Sequence, residues 1–213
     1  MDDTEIHRRP KPLAAIQADS ERMGFGFASE EKTGALLAAI AASKPGGRFL
    51  ELGTGVGHGT AWILEGSDQL SRLETVDSDP DSVAIARRHL GMDPRVTFHI
   101  ADGAEFINGA RGKFYELIFA DAWPGKFSYL DETLSLLSVG GVYVADDLLP
   151  QRNWPEGQGS RVPEFLDALE CREGFITVRL AWASGIVLVV RTDAQPRHAA
   201  DNHQRPSSAG SCP

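Results

Sequence analysis

Short apolar runs, typical of β-strands, alternate along the chain with segments whose apolar residues recur at helical spacing. Apolar runs that end in or next to polar turns predict five strands, at 49–52, 73–77, 95–102, 116–121 and 142–147. Two more β-rich runs, 175–182 and 186–192, are separated only by Ala-Ser-Gly, which is typical of an antiparallel hairpin. Strands that alternate with helices and close with a hairpin predict a three-layer α/β domain.

Two of the intervening segments give specific helix boundaries. The segment 29–40 has apolar residues at helical spacing, and Ser29 is its predicted N-cap. A second helix is expected over 129–137, with Gly140 and Gly141 ending it. We therefore expect the fifth strand to begin only after these glycines.

The chain divides into one predicted domain and two flanking segments. Residues 1–22 are polar and contain two prolines, which predicts a flexible lead or a cap over the site. Residues 23–192 form the predicted domain, because 213 residues suffice for one well-filled core and are few for two. The segment 193–213, rich in Pro, Ser, Ala and Gln, is expected to be a disordered tail.

Charge and cysteine content restrict the partners. The net charge of -9, from 21 Lys+Arg against 30 Asp+Glu, disfavours binding to nucleic acid or to anionic membranes and favours a small-molecule substrate. Cys171 and Cys212 have no metal-binding spacing, so a reducing cytoplasm is the expected location. No apolar run reaches membrane-spanning length, and the basic start lacks the apolar core of a secretion signal. Exposed sheet edges are compatible with a homodimer.

A glycine-rich turn follows the first predicted strand, in the sequence FLELGTGVGHGTAWIL at 49–64. Glycine permits positive φ and close approach of a ligand, and the first amides of the next helix are unpaired donors. The spacing does not fit the G-x-G-x-x-G dinucleotide fingerprint, since His58 or Thr60 stands at the third glycine position. It does not fit a P-loop either, because no lysine follows before Lys113.

The pattern Glu51-x-Gly53-x-Gly55-x-Gly57 resembles the first motif of class I S-adenosylmethionine (SAM)-dependent methyltransferases. With ADAWPGKF, GGVYVADD and WASGIVLVVR it resembles the small O-methyltransferases related to catechol O-methyltransferase, over about residues 24 to 192. This resemblance implies a Rossmann-like fold with a seven-stranded, mostly parallel sheet and an antiparallel C-terminal hairpin.

The resemblance also implies contacts to the cofactor from the glycine turn and from the ends of neighbouring strands. The implied residues are Ala28, Ser29, Glu51, Gly53, Thr54, Gly55, Gly57, His58, Asp77, Ser78, Asp102, Gly103, Asp121 and Trp123. Asp77 is assigned to the ribose hydroxyls, because a carboxylate can accept from both; the alternative is an aspartate that serves only the turn. Asp102 is assigned to the adenine amino group, with a helix N-cap as the alternative.

Acidic residues follow four successive strands: Asp77, Asp102, Asp121 and Asp146. Ligands of open parallel sheets bind at the carboxyl ends of strands. The resemblance implies that Asp121, Asp146 and Asp147 hold a divalent metal such as Mg²⁺, for which oxygen ligands are suited. The family has Asp-Asn where this chain has Asp-Asp. The alternative is a site that works without metal, with structural or capping roles for Asp146 and Asp147.

The catalytic residues are the least defined part of the pattern. The resemblance gives Asp121 a catalytic role, but the family's lysine base falls on Pro124 here. Lys126 is the candidate instead if the Pro124-Gly125 turn redirects the loop; the alternative is a solvated surface lysine with another group as base.

The leading hypothesis is an enzyme that transfers a methyl group from SAM to a hydroxyl oxygen of a small molecule. The alternatives are a metal-independent methyltransferase acting on nitrogen or another atom, and a SAM-binding module without catalysis.

Overall fold

The computed structural model describes residues 5–26, 29–151 and 154–192. The helices of these residues are α1 Leu13–Met23, α2 Glu31–Ala42, α3 His58–Gly66, α4 Pro80–Leu90, α5 Gly103–Gly109, α6 Leu130–Ser135 and α7 Gln158–Glu170. The strands are β1 Arg48–Leu52, β2 Arg72–Asp77, β3 Val96–Ile100, β4 Tyr115–Ala120, β5 Leu137–Ala145, β6 Phe175–Leu180 and β7 Ile186–Arg191. Within these ranges, every helix is too short or too polar to cross a bilayer.

All the strands of the described residues form one sheet of seven, in the order β3-β2-β1-β4-β5-β7-β6. Strands β1 to β5 pair in parallel, whereas β7 is antiparallel to both β5 and β6. The predicted seven-stranded sheet with a C-terminal antiparallel hairpin is therefore confirmed. Because β1 is central and β2 and β4 flank it, the turns after these strands lie side by side.

Alternation along the strands divides the core between the two faces of the sheet. In β1, Phe49 packs with the apolar sides of α1 to α4, whereas Leu50 packs with α5 to α7. The same alternation places Leu117 and Ile118 of β4 on opposite faces. These side chains are fully buried, so helices cover both faces of the central strands, as expected of a parallel sheet.

Within the N-terminal segment, for which a flexible lead or a cap was predicted, residues 13–23 form helix α1. Ile16 is fully buried in the core between the helices and the sheet. Asp19 accepts hydrogen bonds from Arg88 and His89 of α4, at 2.9 and 2.8 Å. Two buried apolar residues, Leu13 and Ile16, and the buried acid Asp19 thus fix a helix whose other positions are mostly exposed. Ala28 and the segment 193–213 lie outside the described residues.

The expected helix over 129–137 is shorter than predicted, since α6 ends at Ser135 and β5 already begins at Leu137. Gly140 and Gly141 lie inside the strand, and Gly140 has φ 75°. The pairing of β4 with β5 shifts register between Tyr115 and Leu117. These glycines therefore accommodate a strand irregularity and do not end a helix.

Candidate active site

The turns after four neighbouring strands, β2, β1, β4 and β5, meet at the carboxyl end of the sheet. Leu52 of β1 pairs with Val76 of β2 and with Ala120 of β4, so Gly53 lies between Asp77 and Asp121. Ala120 in turn pairs with Ala145 of β5, which places Asp121 beside Asp146. Strand register alone therefore brings the glycine turn next to the acidic residues that were predicted from sequence.

The glycine turn has its first three glycines in backbone conformations that favour glycine. Gly53, Gly55 and Gly57 have φ values of 105°, 49° and 96°. A side chain at Gly53 would also be crowded, because its Cβ would lie 2.9 Å from the carbonyl oxygen of Asp121. The turn therefore has a conformation that side-chain-bearing residues rarely adopt, and it touches the loop after β4 directly.

Asp77 holds this turn in place. Its Oδ2 accepts from the amide of Gly55 at 2.8 Å, and its Oδ1 accepts from the amide of Asp79 at 3.0 Å. Asp77 is half-buried and Ser78 is exposed, so both can still be reached from solvent. Asp77 therefore has the turn-stabilising role that was its alternative in the sequence analysis. Its carboxylate still lies at the surface of the site.

Glu51 lies below the turn and is fully buried. Its Oε2 accepts from the hydroxyls of Thr60 and Thr75, and the Thr54 and Thr75 hydroxyls lie 2.6 Å apart. Burial raises the pKa of Glu51 to about 7, against the lowering effect of the two hydroxyl bonds. The network ties β1, β2, α3 and the turn together, and neither Thr60 nor Thr75 stood out in the sequence.

Ser29 and His58 both line the cleft beside the turn. The Ser29 hydroxyl donates to Oδ2 of Asp121 at 3.1 Å, and α2 begins later, with Glu30 at its N-cap position. The predicted capping role of Ser29 is therefore wrong. His58 begins α3, and its Nδ1 is buried without a hydrogen bond to any described residue. Burial lowers the pKa of His58, which favours the neutral imidazole.

The space above the turn is narrow. The ring of Phe25 lies 3.0 Å from where a Cβ of Gly55 would be. The cleft that Phe25 shares with the turn, Ser29, His58 and Asp121 has a volume of about 20 Å³. The Phe25 ring therefore packs over the turn at Gly55, and the sequence did not single out this residue.

Asp102 and Gly103 form the outer end of the site. The Asp102 carboxylate caps α5 by accepting from the amides of Ala104 and Glu105, at 2.9 and 3.0 Å. The N-cap role that was the alternative for Asp102 is thus present, although the residue is exposed. A Cβ on Gly103 would lie 3.0 Å from Cβ of Pro124, so the turn after β3 contacts the loop after β4.

Three carboxylates cluster at the ends of β4 and β5. Asp121, Asp146 and Asp147 each offer one oxygen, and these oxygens all lie within 4.8 Å of one another. Asp146 is 1% exposed, and its Oδ1 makes no hydrogen bond with the described residues. Burial raises the pKa of Asp121 to about 6, and burial together with the charge of Asp121 raises the pKa of Asp146 well above its ordinary value. The cluster therefore favours a bound cation or retained protons.

Lys126 is part of this cluster and is only 4% exposed, so a solvated surface lysine is excluded. Its Nζ donates to the backbone oxygen of Asp146 at 3.0 Å. The same Nζ lies 3.9 Å from Oδ1 of Asp121 and 3.9 Å from Oδ1 of Asp146. The loop at Pro124-Gly125 thus directs Lys126 inward, as the first of the two sequence hypotheses required.

Asp147 has an unusual backbone and several supports. Its φ is 58°, a value that Asp and Asn tolerate better than most residues. Gln151 donates to its Oδ1 at 2.6 Å, and Gln158 at the start of α7 donates to its backbone oxygen at 3.0 Å. The Asp147 amide points to the Ser184 hydroxyl at 3.4 Å. Gln151 is close to Asp147 along the chain, whereas Gln158 and Ser184 come from later segments, and no sequence signal identified any of the three.

An aromatic wall borders the acidic cluster. Trp123 is 36% exposed and makes an edge-to-face contact with Phe127, with ring centroids 5.9 Å apart. The guanidinium of Arg161 lies 4.8 Å from the Trp123 ring centroid. Trp154 packs against the core on the α7 side. Trp123 is therefore held between Phe127 and Arg161 and keeps about a third of its surface exposed.

Sequence comparisons point to methyltransferases. Residues 50–148 match a family model described as a methyltransferase domain. A probable O-methyltransferase from Mycobacterium tuberculosis strain H37Rv is 33% identical over 137 residues, which are 62% of this chain and 61% of that protein. The chain thus spans about three fifths of the length of the curated relatives it matches.

Solved structures share the fold. The O-methyltransferase TomG from Streptomyces achromogenes, in complex with SAM, superposes with a TM-score of 0.74 at 19% identity, over 87% of this chain and 92% of that one. The cofactor-bound Rv0187 protein from MTB gives a TM-score of 0.77 at 22% identity, over 89% and 93%. At such identities the likeness establishes a Rossmann-like methyltransferase fold and leaves the chemistry to the site.

Proposed function

We propose that this chain transfers a methyl group from SAM to a hydroxyl oxygen of a small molecule. The matches confirm its predicted resemblance to the class I SAM-dependent methyltransferases. The contact between Gly53 and the Asp121 loop is the observation that most supports this proposal. A cofactor on the glycine turn and an acceptor at the acidic cluster would be neighbours across that contact. Such positioning supplies much of the rate enhancement of a group transfer.

The cofactor assignment follows the order of the turns along the sheet edge. Gly53, Thr54, Gly55 and Gly57 offer close approach to the backbone, which suits a cofactor that has no phosphate groups. From there, Asp77 with Ser78 and then Asp102 with Gly103 lie in the direction of β2 and β3. We assign the ribose and the adenine to these two pairs. Ser29, His58, Asp121 and Trp123 complete the proposed set around the reacting end, whereas Glu51 acts by supporting the turn.

The acidic cluster fits a divalent cation. Its donors are carboxylate oxygens, which suit Mg²⁺, and Oδ1 of Asp146 is buried and lacks a hydrogen-bond partner among the described residues. Asp121, Asp146 and Asp147 would hold the ion. When bound, it would lower the pKa of an acceptor hydroxyl and orient it.

Lys126 supports a second, metal-independent candidate. Its ammonium already lies 3.9 Å from two of the three carboxylates and therefore compensates part of their charge. In the metal-independent reaction, Lys126 faces the acceptor as a fixed cation. Asp121 then accepts the proton of the acceptor hydroxyl. The homodimer and the cytoplasmic location stay predictions from the sequence.

Calorimetric titration with S-adenosylhomocysteine tests the cofactor proposal. Asp77→Ala should weaken binding at least about tenfold, because it removes both the ribose acceptor and the anchor of the Gly55 amide. Asp79→Ala is the matched control, since Asp79 caps α4 in the same turn and should change stability by about 1 kcal/mol without a comparable loss of affinity. Equal losses in the two variants would remove the ribose assignment.

Addition of Mg²⁺ to the same titration separates the two candidates. Tighter binding or a separate Mg²⁺ isotherm that disappears in Asp121→Asn supports the metal-assisted reaction. Indifference to Mg²⁺, with turnover that depends on Lys126, supports the metal-independent one. Cofactor binding without turnover on any hydroxylated acceptor would favour the binding module.

A further inference from the structure

Arg161 on α7 differs from the other arginines of the described residues. Each of the others donates a hydrogen bond or forms an ion pair. The guanidinium of Arg161 does neither with any described residue, and the side chain is exposed. Its Cζ lies 4.8 Å from the centroid of the Trp123 ring, a side chain that is itself 36% exposed. Stacking on the ring thus fixes the guanidinium and leaves its N–H donors to a ligand or to water.

Two independent contacts place Arg161 beside the acidic cluster. Gln158, one helical turn earlier, donates to the backbone oxygen of Asp147 at 3.0 Å. Residues three apart are neighbours on one face of a helix, so Arg161 lies on the side of α7 that meets Asp147. Trp123, on which Arg161 stacks, follows Asp121 by two residues in the loop after β4. A molecule with one group at the cluster can therefore reach Arg161 with another.

The charges of this region favour an anion with a single negative charge at Arg161. Lys126 is 4% exposed and already donates to the backbone oxygen of Asp146, whereas Arg161 is open to solvent. A guanidinium holds a carboxylate through two parallel hydrogen bonds. One guanidinium balances one negative charge, and the nearby aspartates repel a second, which disfavours a phosphate dianion. A carboxylate is therefore the group that suits this position.

We propose that Arg161 determines acceptor specificity by binding a carboxylate of the methyl acceptor, whose hydroxyl is directed to the acidic cluster. The inference rests on the proposed function and names the acceptor class, the hydroxylated carboxylic acids. Arg161 donates to the carboxylate and takes no part in the methyl transfer itself, so it acts on the affinity for the acceptor. An uncharged acceptor of the same shape forms weaker hydrogen bonds and does not balance the guanidinium charge.

The test measures binding of two acceptors that differ in charge. 3,4-Dihydroxybenzoate carries a carboxylate, and 3,4-dihydroxybenzamide has an uncharged amide in its place. We expect calorimetry on the complex with S-adenosylhomocysteine and Mg²⁺ to show the wild-type chain binding the benzoate at least about fivefold more tightly, as expected of charged hydrogen bonds. Arg161→Met should remove this preference and leave benzamide affinity unchanged, since a methionine side chain still packs against the Trp123 ring.

Arg179→Gln is the matched control. Arg179 is also exposed and pairs with Glu170 at the far end of α7, so this variant removes the same charge away from the cluster. It should keep the full preference for the benzoate. Arg161→Lys should keep only part of the preference, because lysine carries the charge without the bidentate geometry.

The outcomes separate this inference from the proposed function. Equal affinity of the wild-type complex for both acceptors, or no binding of either, overturns the role of Arg161. Equal weakening of both acceptors in Arg161→Met overturns it too, since Arg161 would then only hold Trp123, and so does a preference that survives Arg161→Met or is lost in Arg179→Gln. In each of these cases binding of S-adenosylhomocysteine leaves the proposed function standing, whereas its failure to bind overturns both.

Discussion

The glycine turn and the acidic cluster are neighbours at one edge of the sheet, yet they are built in different ways. The turn is built from backbone, with three glycines at positive φ and the Asp77 carboxylate holding an amide. The cluster is built from side chains of like charge, three aspartates with one buried lysine. The turn is thus specified by conformation, whereas the cluster is specified by charge balance.

This difference determines how each region tolerates change. A conformational requirement admits very few residues, because a wrong residue strains the backbone whatever its chemistry. A charge balance admits several solutions, because a metal, a proton or Lys126 can each compensate the same carboxylates. We therefore expect substitutions in the turn to have larger effects than conservative substitutions in the cluster.

Gly53→Ala should have the largest effect. It combines positive φ with a contact of 2.9 Å to the Asp121 carbonyl oxygen, so we expect a loss of about 2–4 kcal/mol in the free energy of unfolding. Gly112→Ala is the control, since Gly112 has φ 86° with no atom near its Cβ position, and should lose about 1 kcal/mol. Urea unfolding of both variants measures the difference. Equal losses would mean that the contact with the cluster loop contributes nothing.

Glu51→Gln should change how the free energy of unfolding depends on pH. The pKa of Glu51 is raised from 4.5 to about 7. The stabilisation that comes from protonated Glu51 is therefore complete below pH 4.5 and is lost as the pH rises through about 7. The wild-type chain should therefore lose stability relative to Glu51→Gln over this window, on the order of 3 kcal/mol. Unfolding at pH 5, 6, 7 and 8 in the ligand-free state gives the difference curve.

Asp68→Asn is the reference for that curve. The Ser71 hydroxyl bond lowers the pKa of Asp68, so Asp68 stays ionised throughout this range in both folded and unfolded chains. Its difference from wild type should be flat. A flat curve for Glu51→Gln as well would contradict a protonated Glu51 beneath the turn.

Asp147→Asn should have the smallest effect. Asparagine tolerates the φ of 58° and keeps an oxygen for Gln151, so stability should change by less than about 0.5 kcal/mol. Asp147→Ala loses both features and should cost about 1 kcal/mol or more. Thermal unfolding with and without Mg²⁺ checks both. A large loss in Asp147→Asn would show that the cluster is as strictly specified as the turn.

The two regions also differ in how far the sequence predicts them. The strands along the chain, the hairpin and the position of the turn follow from apolar runs and glycine spacing, which are local signals. The meeting of Asp121 with Asp146 also follows, because parallel strands end at one edge.

Long-range side-chain contacts could not be predicted. Burial of Lys126 depends on the path of the Pro124-Gly125 loop, and the supports of Asp147 come from Gln158 and Ser184. Helix α1 was missed because Ile16 and the buried Asp19 are isolated signals in a polar segment. Their partners are known only once the chain has folded.

The left-handed backbone at Asp147 has a consequence for how this site changes over generations. Aspartate and asparagine codons differ at a single nucleotide, and both residues suit this conformation. A single nucleotide change can therefore exchange them with little penalty to folding, while the charge of the acidic cluster changes by one unit. The backbone geometry thus restricts the choice of residue at this position more than it restricts the charge there.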